Sequence, residues 1–203
     1  GGQVTGHFES EDWRSFDLGH PGGEVTTRWL LEKSGLKRGS RILDLCCGAG
    51  DSLEVFREAG FDICGIDRAN VLDHAKIKHP EIKEKSLCSW EAGEKIPFPD
   101  KTFDAVLSEC SLSLFEGEKK VNIQKEIGRV LKEEGLLLLS DITKEMPVTP
   151  SGFDLIHWKD GSEHIKPFIA RWIWMTEKKY PQSCKGDRYF LGIYKKRGSD
   201  HGF

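Results

Sequence analysis

No hydrophobic run in this chain approaches the roughly 20 residues that cross a bilayer. The longest, Leu136 to Leu139, has the length of a buried strand. Nor is there an excess of positive charge. The net charge is −3 and the pI about 6.2, so no overall basic field invites nucleic acid. The basic clusters Lys119-Lys120, Lys178-Lys179 and Lys195 to Arg197 are short and read as solvated surface. Cys-x-x-Cys is missing, and the six cysteines are not spaced like a secreted disulfide framework. Cys46 and Cys47 are adjacent, which is poor disulfide geometry, so free thiols in a reducing cytosol are expected. No metal-ligand spacing occurs, so no metal is expected. Internal repeats and low-complexity tracts are also lacking. The start, Gly1-Gly2-Gln3, carries no signal peptide and reads as a trimmed or tagged end, which points to a cytoplasmic protein.

What is present is a core-forming chain. Its 203 residues fit one domain, with 37% hydrophobic and 31% charged residues. Residues 1–20 mix charge with Phe8, Trp13 and Phe16 and read as a lid or short helix. A helix is expected over 24–34, with Val25, Trp29 and Leu30 near one face and Gly35 as its C-cap. From there strands and helices alternate. Strands are expected at 41–46, 62–66, 83–88, 103–107 and 136–141. Helices are expected at about 50–59, 71–78 and 118–132, the last with Val121, Ile127, Val130 and Leu131 as its apolar side. Such alternation gives a parallel sheet with helices on both faces.

Beyond residue 141 the pattern is less regular: a strand at 153–158, a helix at 165–176 and a strand at 189–194. A crossover to a parallel strand needs about a dozen residues, usually helical. Only 143–152 is available, interrupted by Pro147 and Pro150. Either this crossover is degenerate or a segment is missing near 144–152. Trp158, Trp172 and Trp174 are most simply core and helix packing. Trp13 and Phe16 are placed to close over a substrate or to pack on the sheet edge.

The run Arg41-Ile-Leu-Asp-Leu-Cys-Cys-Gly-Ala-Gly-Asp-Ser52 carries the chemistry. A strand that breaks into glycines and then a helix makes a nucleotide crevice in α/β proteins. A dinucleotide fingerprint needs a third glycine, and here Gly48-x-Gly50 continues as Asp51-Ser52-Leu53. Asp67 ends the second strand, where a carboxylate can accept both hydroxyls of a ribose; the competing role is capping the next helix.

With these residues in place the sequence resembles class I S-adenosylmethionine-dependent methyltransferases, small-molecule members such as the ubiquinone/menaquinone and arsenite types included. Leu43 to Gly50 is similar to their first motif, and Asp67 to their ribose-binding acid. Ile96 to Val106 matches the stretch leading into strand four, and Arg129 to Leu137 the turn into strand five. The likeness covers about 41–141. It implies a Rossmann-like fold with a mostly parallel seven-stranded sheet. The implied layout is one domain over 1–203: an N-terminal lid/helix segment at 1–35, a cofactor core at 41–141, and a C-terminal part at 153–203 completing the sheet. One position departs from the pattern, because Cys46 stands where the family usually has glycine.

The resemblance implies S-adenosyl-L-methionine as cofactor. Asp44 would face its ammonium side, Asp67 its ribose and Arg68 its adenine face. Cys46, Gly48 and Gly50 would form the turn. Ser89 and Trp90 (with Glu91) would lie near the adenine amino group, and Glu109 and Cys110 beside the sulfonium and methyl. His20, Glu109 and His157 are the candidate bases, of which His20 and Glu109 are carried forward as catalytic. Cys46, Cys88 and Cys110 fall near carboxyl ends of strands. They read as small apolar residues there, with binding of a soft acceptor such as trivalent arsenic as the other possibility. A small-molecule acceptor is expected, with neither nucleic acid nor membrane as partner. Two alternatives remain at this point: a non-catalytic binder of S-adenosylmethionine or S-adenosylhomocysteine, and an NAD(P)-dependent oxidoreductase. The missing third glycine and the absence of Tyr-x-x-x-Lys weigh against the latter.

Overall fold

The computed structural model describes residues 17–179 and 181–198. Among them lie five α-helices and seven strands. In chain order these are α1 (Gly23–Ser34), β1 (Arg41–Leu45), α2 (Asp51–Glu58), β2 (Asp62–Asp67), α3 (Ala69–Lys78), β3 (Leu87–Ser89) and β4 (Phe103–Glu109). They continue as α4 (Gly117–Val130), β5 (Leu131–Thr143), β6 (Phe153–Asp160), α5 (Ile165–Thr176) and β7 (Arg188–Lys196). One sheet holds all seven strands in the order β3-β2-β1-β4-β5-β7-β6. The pairs among β1 to β5 are parallel. β7 runs antiparallel to both of its neighbours.

The central strands are apolar on both sides, as a sheet covered on both faces requires. Leu30, Ile42, Leu53, Phe56, Leu72 and Leu107 pack on one face, with Ile165 of α5. Leu43, Leu45, Val106, Ile123, Ile127 and Val130 pack on the other. On that second face α4 is joined by two non-helical segments, which contribute Trp90, Ile96 and Phe98 before β4 and Met146 and Val148 after β5.

The crossover at 144–152 is therefore degenerate, with no helix. It works because β6 is not the neighbour of β5. β7 lies between them, and the connection crosses the second face, where the Tyr194 hydroxyl donates to the Val148 carbonyl.

Several expectations are corrected. α1 buries Thr26, Thr27 and Leu30, while Val25 is 67% exposed. In α4 Val121 is exposed and Ile123 takes the inward position. α4 stops at Val130, and β5 starts at Leu131 with an irregular passage through Glu134, whose φ is 62°. β3 is confined to Leu87–Ser89 because Glu84–Ser86 forms a 3₁₀ turn. Trp172 is buried and Trp158 stacks on Phe190 at 4.7 Å, but Trp174 is 83% exposed and packs in no core. The expected lid at 1–20 lies outside the described residues up to position 16, as do Trp13 and Phe16.

Candidate active site

A cleft of about 980 Å³ opens at the carboxyl ends of β1, β2 and β4. Ligands bind at this edge of open α/β sheets. The turn after β1 forms its floor. Cys46 has a φ of 60° and Gly48 a φ of 54°, both in the left-handed region. A non-glycine residue held there costs about 1 kcal/mol or more. Cys46 thus occupies a glycine conformation, in keeping with the family pattern from which it departs. A Cβ added at Gly48 would meet no protein atom within 4 Å, so the backbone lies open to the cleft.

Gly50 closes the turn as expected, its amide donating to Cys47 O at 3.0 Å. It does not line the cleft. A Cβ there would come within 3.3 Å of Ile82 Cδ1 and 3.5 Å of Ala75 Cβ, so this glycine lets α2 start close to α3. Ser89 is misplaced by the expectation. It is exposed at the end of β3 and does not line the cleft; Trp90, Glu91 and Ala92 form that wall instead. Trp90 is fixed by its own amide, which donates to Asp67 O at 2.9 Å, and by its indole Nε1, which donates to Glu94 O at 3.0 Å.

Three carboxylates end adjacent strands around the turn and line the cleft: Asp44 on β1, Asp67 on β2 and Glu109 on β4. Asp67 does not cap α3. Its Oδ2 accepts from the Gly48 amide at 2.9 Å and its Oδ1 from the Arg68 amide at 2.8 Å. Each oxygen keeps a further lone pair for a donor in the cleft. Burial raises the Asp67 pKa, opposed by these two amides. Arg68 lines the cleft beside it. Asp44 is only 3% exposed, and no donor among the described residues hydrogen-bonds its carboxyl group. Burial, then the charges of Glu109 and Asp67, push its pKa well above the ordinary carboxylate value.

Glu109 is not free in the same way. Its Oε2 lies 2.9 Å from His20 Nε2 and accepts from Thr27 Oγ1 at 2.6 Å. His20 Nδ1 sits 3.1 Å from the Pro21 carbonyl. A carbonyl and a carboxylate only accept, so these contacts suit a ring that donates from both nitrogens, the protonated form. Burial would lower the His20 pKa, but the Glu109 carboxylate outweighs it and the net shift is upward. Glu109 shifts down for the converse reason: burial opposes ionisation, and His20 overrides it. His20 thus enters the cleft as half of an ion pair, not as a free base. His157 is exposed on β6 and does not line the cleft.

Cys46, Cys47 and Cys110 line the cleft, whereas Cys88 does not. All six cysteines are free. Burial, the largest cause for each, raises the pKa of the three cleft thiols well above the ordinary value, which keeps them protonated. Among the described residues no three His, Cys, Asp or Glu side chains converge as metal ligands. Thr27 was not singled out in the sequence, and Ser52 was read only as part of the run after Gly50. Their hydroxyls lie 3.3 Å apart and lock α1 to α2 beside Glu109. The only signal for Thr27 was a pair of threonines one helical turn after His20-Pro21-Gly22-Gly23.

The chemistry of the donor set fits a sulfonium nucleoside. It offers an unpaired buried carboxylate, a two-oxygen acceptor at the end of β2 and an open glycine backbone. The sequence match agrees: residues 43–139 match the methyltransferase domain family Methyltransf_11. Over these residues, just under half of its length, the chain is similar to a methyltransferase domain. A protein of Haemophilus influenzae is 32% identical over 126 residues, 60% of this chain and 50% of that one. Demethylmenaquinone methyltransferase of Renibacterium salmoninarum is 31% identical over 124 residues, 58% of this chain and 49% of that one. The chain spans about half the length of the curated relatives it matches. Among solved structures, Haemonchus contortus phosphoethanolamine N-methyltransferase 2 in complex with S-adenosyl-L-methionine superposes with a TM-score of 0.70. It is 16% identical, over 94% of this chain and 58% of that one, which is a likeness of fold.

Proposed function

We propose that this chain transfers the methyl group of S-adenosyl-L-methionine to a small-molecule acceptor. The observation that carries the reading is the set of Asp44, Asp67 and Glu109 at the ends of three adjacent strands, around one left-handed turn. When bound, the cofactor supplies an electrophilic methyl on a sulfonium. The protein's own residues bind and orient. Asp67 takes the ribose hydroxyls on its remaining lone pairs. Asp44 receives the ammonium end, and the charge it meets there compensates its burial. Gly48 lets the backbone approach, Arg68 and Trp90 wall the adenine side, and Cys46 and Cys110 shape the space near the sulfonium. Glu109, held by His20 and Thr27, presents negative charge to a cation. Methyl transfer draws on positioning and water exclusion, and a base is needed only where the acceptor must lose a proton. We assign His20 and Glu109 to positioning. The 41–141 segment is the cofactor core, and the cleft beyond Cys110 takes the acceptor.

The oxidoreductase alternative finds no support. The dinucleotide fold continues its sheet in the order 3-2-1-4-5-6, whereas here an antiparallel β7 is inserted beside β5. Calorimetric titration with S-adenosylhomocysteine and with NADH separates the two. Binding of the adenosyl ligand alone is expected; binding of NADH alone overturns the proposal. Asp67→Ala removes two hydrogen bonds to the ribose. It should weaken S-adenosylhomocysteine about a hundredfold, a loss near 3 kcal/mol. Unchanged affinity would remove the ribose assignment.

A further inference from the structure

α5 carries two tryptophans with opposite fates. Trp172 is buried under the helix, while Trp174 is 83% exposed and its neighbour Ile173 is 42% exposed. Pro167, Ala170, Arg171 and Trp174 are all exposed and recur at helical spacing along the outer side, and Lys178 and Lys179 are exposed just past the end of the helix. The core offers no reason to leave the largest apolar side chain in water at this position. Along an adjacent stripe, Ile165, Ile169 and Ile173 pass from buried to exposed. Next to the start of this stripe a groove of about 380 Å³ runs between α5 and residues 181–187. Ile165, Ile169 and Pro181 line it, with Lys166 and Lys185 beside them.

The charge of this region opposes that of the chain. Between residues 165 and 185 stand Lys166, Arg171, Lys178, Lys179 and Lys185 against Glu177 alone, in a protein whose net charge is −3. An amphipathic helix with exposed tryptophan and isoleucine, ringed by lysine and arginine, suits the boundary of an anionic bilayer. The indole sits at headgroup depth and the cations meet lipid phosphates. A second copy of the chain suits the face less well, because a two-fold contact would set this cationic cluster against itself. The face also adjoins the cleft. Arg171 lines the cleft rim, and its Nη2 donates to the Asp17 carbonyl at 3.3 Å.

We propose that the outer face of α5, centred on Trp174 and Ile173, together with Lys178 and Lys179 just past its end, docks this protein on the surface of an anionic phospholipid bilayer. The helix lies on the membrane and does not cross it. This departs from the sequence-based expectation of no membrane partner. It goes beyond the methyl-transfer reading and does not depend on it.

The test is flotation of the full chain with two kinds of vesicle. One is phosphatidylcholine alone, the other phosphatidylcholine with about one third phosphatidylglycerol. The chain should float with the anionic vesicles and not with the neutral ones, and about 0.5 M salt should release it. Trp174→Ser and the pair Lys178→Glu with Lys179→Glu should each reduce vesicle binding at least about tenfold. Both variants should keep the circular dichroism spectrum and melting temperature of the unmodified chain, which shows that they are folded. Failure of the chain to float with anionic vesicles overturns the proposal, as does equal flotation of the unmodified chain and Trp174→Ser. A concentration-dependent dimer in sedimentation velocity, abolished by Trp174→Ser, would assign the face to a second copy and overturn it too.

Discussion

His20 and Glu109 show how a residue's role turns on what it touches. The pair joins the segment before α1 to the end of β4, with side-chain exposures of 11% and 6%. Removing one member of a buried pair leaves an uncompensated charge, so His20→Gln should cost about 3 kcal/mol. The His20 pKa is raised from 6.5, so its share of stability is complete below pH 6.5 and disappears as pH rises through the raised value. The Glu109 pKa is lowered from 4.5, so its share is complete above pH 4.5 and disappears as pH falls through the lowered value. The gap between unmodified chain and variant should therefore be widest between pH 4.5 and 6.5 and close on the alkaline side, as measured by urea unfolding. Asp44 behaves oppositely: its folded form resists ionisation, and an incoming cation relieves that resistance. Binding of S-adenosylmethionine should release a proton and strengthen as pH rises. Calorimetry in buffers of different ionisation enthalpy reads the proton, and Asp44→Asn should abolish both the release and the slope. These environments were not legible in the sequence. Asp44 reads as a carboxylate at a strand end, but its lack of a donor among the described residues and its two acidic neighbours exist only once β1, β2 and β4 are adjacent.

At the scale of elements, two sequence blocks that looked separate prove to be one device. Residues 96–106 and 129–137 each matched the family pattern, and Arg129 joins them. Its Nη1 donates to Phe98 O at 2.8 Å and its Nη2 to Ile96 O at 2.9 Å, while Nε meets Glu126 Oε2 at 2.7 Å. Glu126 Oε1 in turn accepts from the Ile96 amide at 2.8 Å. The loop before β4 thus follows α4 without a helix of its own. Arg129→Ala should lower stability by about 3 kcal/mol and raise amide exchange across 91–101, with α5 unaffected. The strands and helices themselves were legible wherever apolar spacing and glycine stops agreed, as from β1 to α3. The inward face of α1 was not, because it buries Thr26 and Thr27 for their hydroxyls and leaves Val25 outside. Apolar spacing cannot find a face selected for hydrogen bonds. Arg129 itself was quoted in the sequence pattern, but nothing there tied it to the loop that it holds.

For the molecule as a whole, cofactor and fold are linked. A ligand that binds only the folded chain, at a hundred times its dissociation constant, adds about 2.7 kcal/mol. In a domain of this size that is a rise of about 5–10 °C in melting temperature. S-adenosylhomocysteine should produce it, and Asp67→Ala should shrink it in step with its loss of affinity. The topology was legible up to β5, since each strand there pairs beside one already placed or is reached by an ordinary crossover. It became opaque afterwards because the position of β6 depends on β7, which comes later in the chain and pairs with it in the antiparallel sense.

That order matters during synthesis. β6 leaves the ribosome before β7, the strand between it and the rest of the sheet, has been made. β3, β2, β1, β4 and β5 can pair while translation continues, but β6 must wait unpaired through α5 and the following turn. Its run Phe-Asp-Leu-Ile-His-Trp, 153–158, stays open to other chains for that interval, so slower translation through 161–188 would lengthen the period in which nascent chains can aggregate.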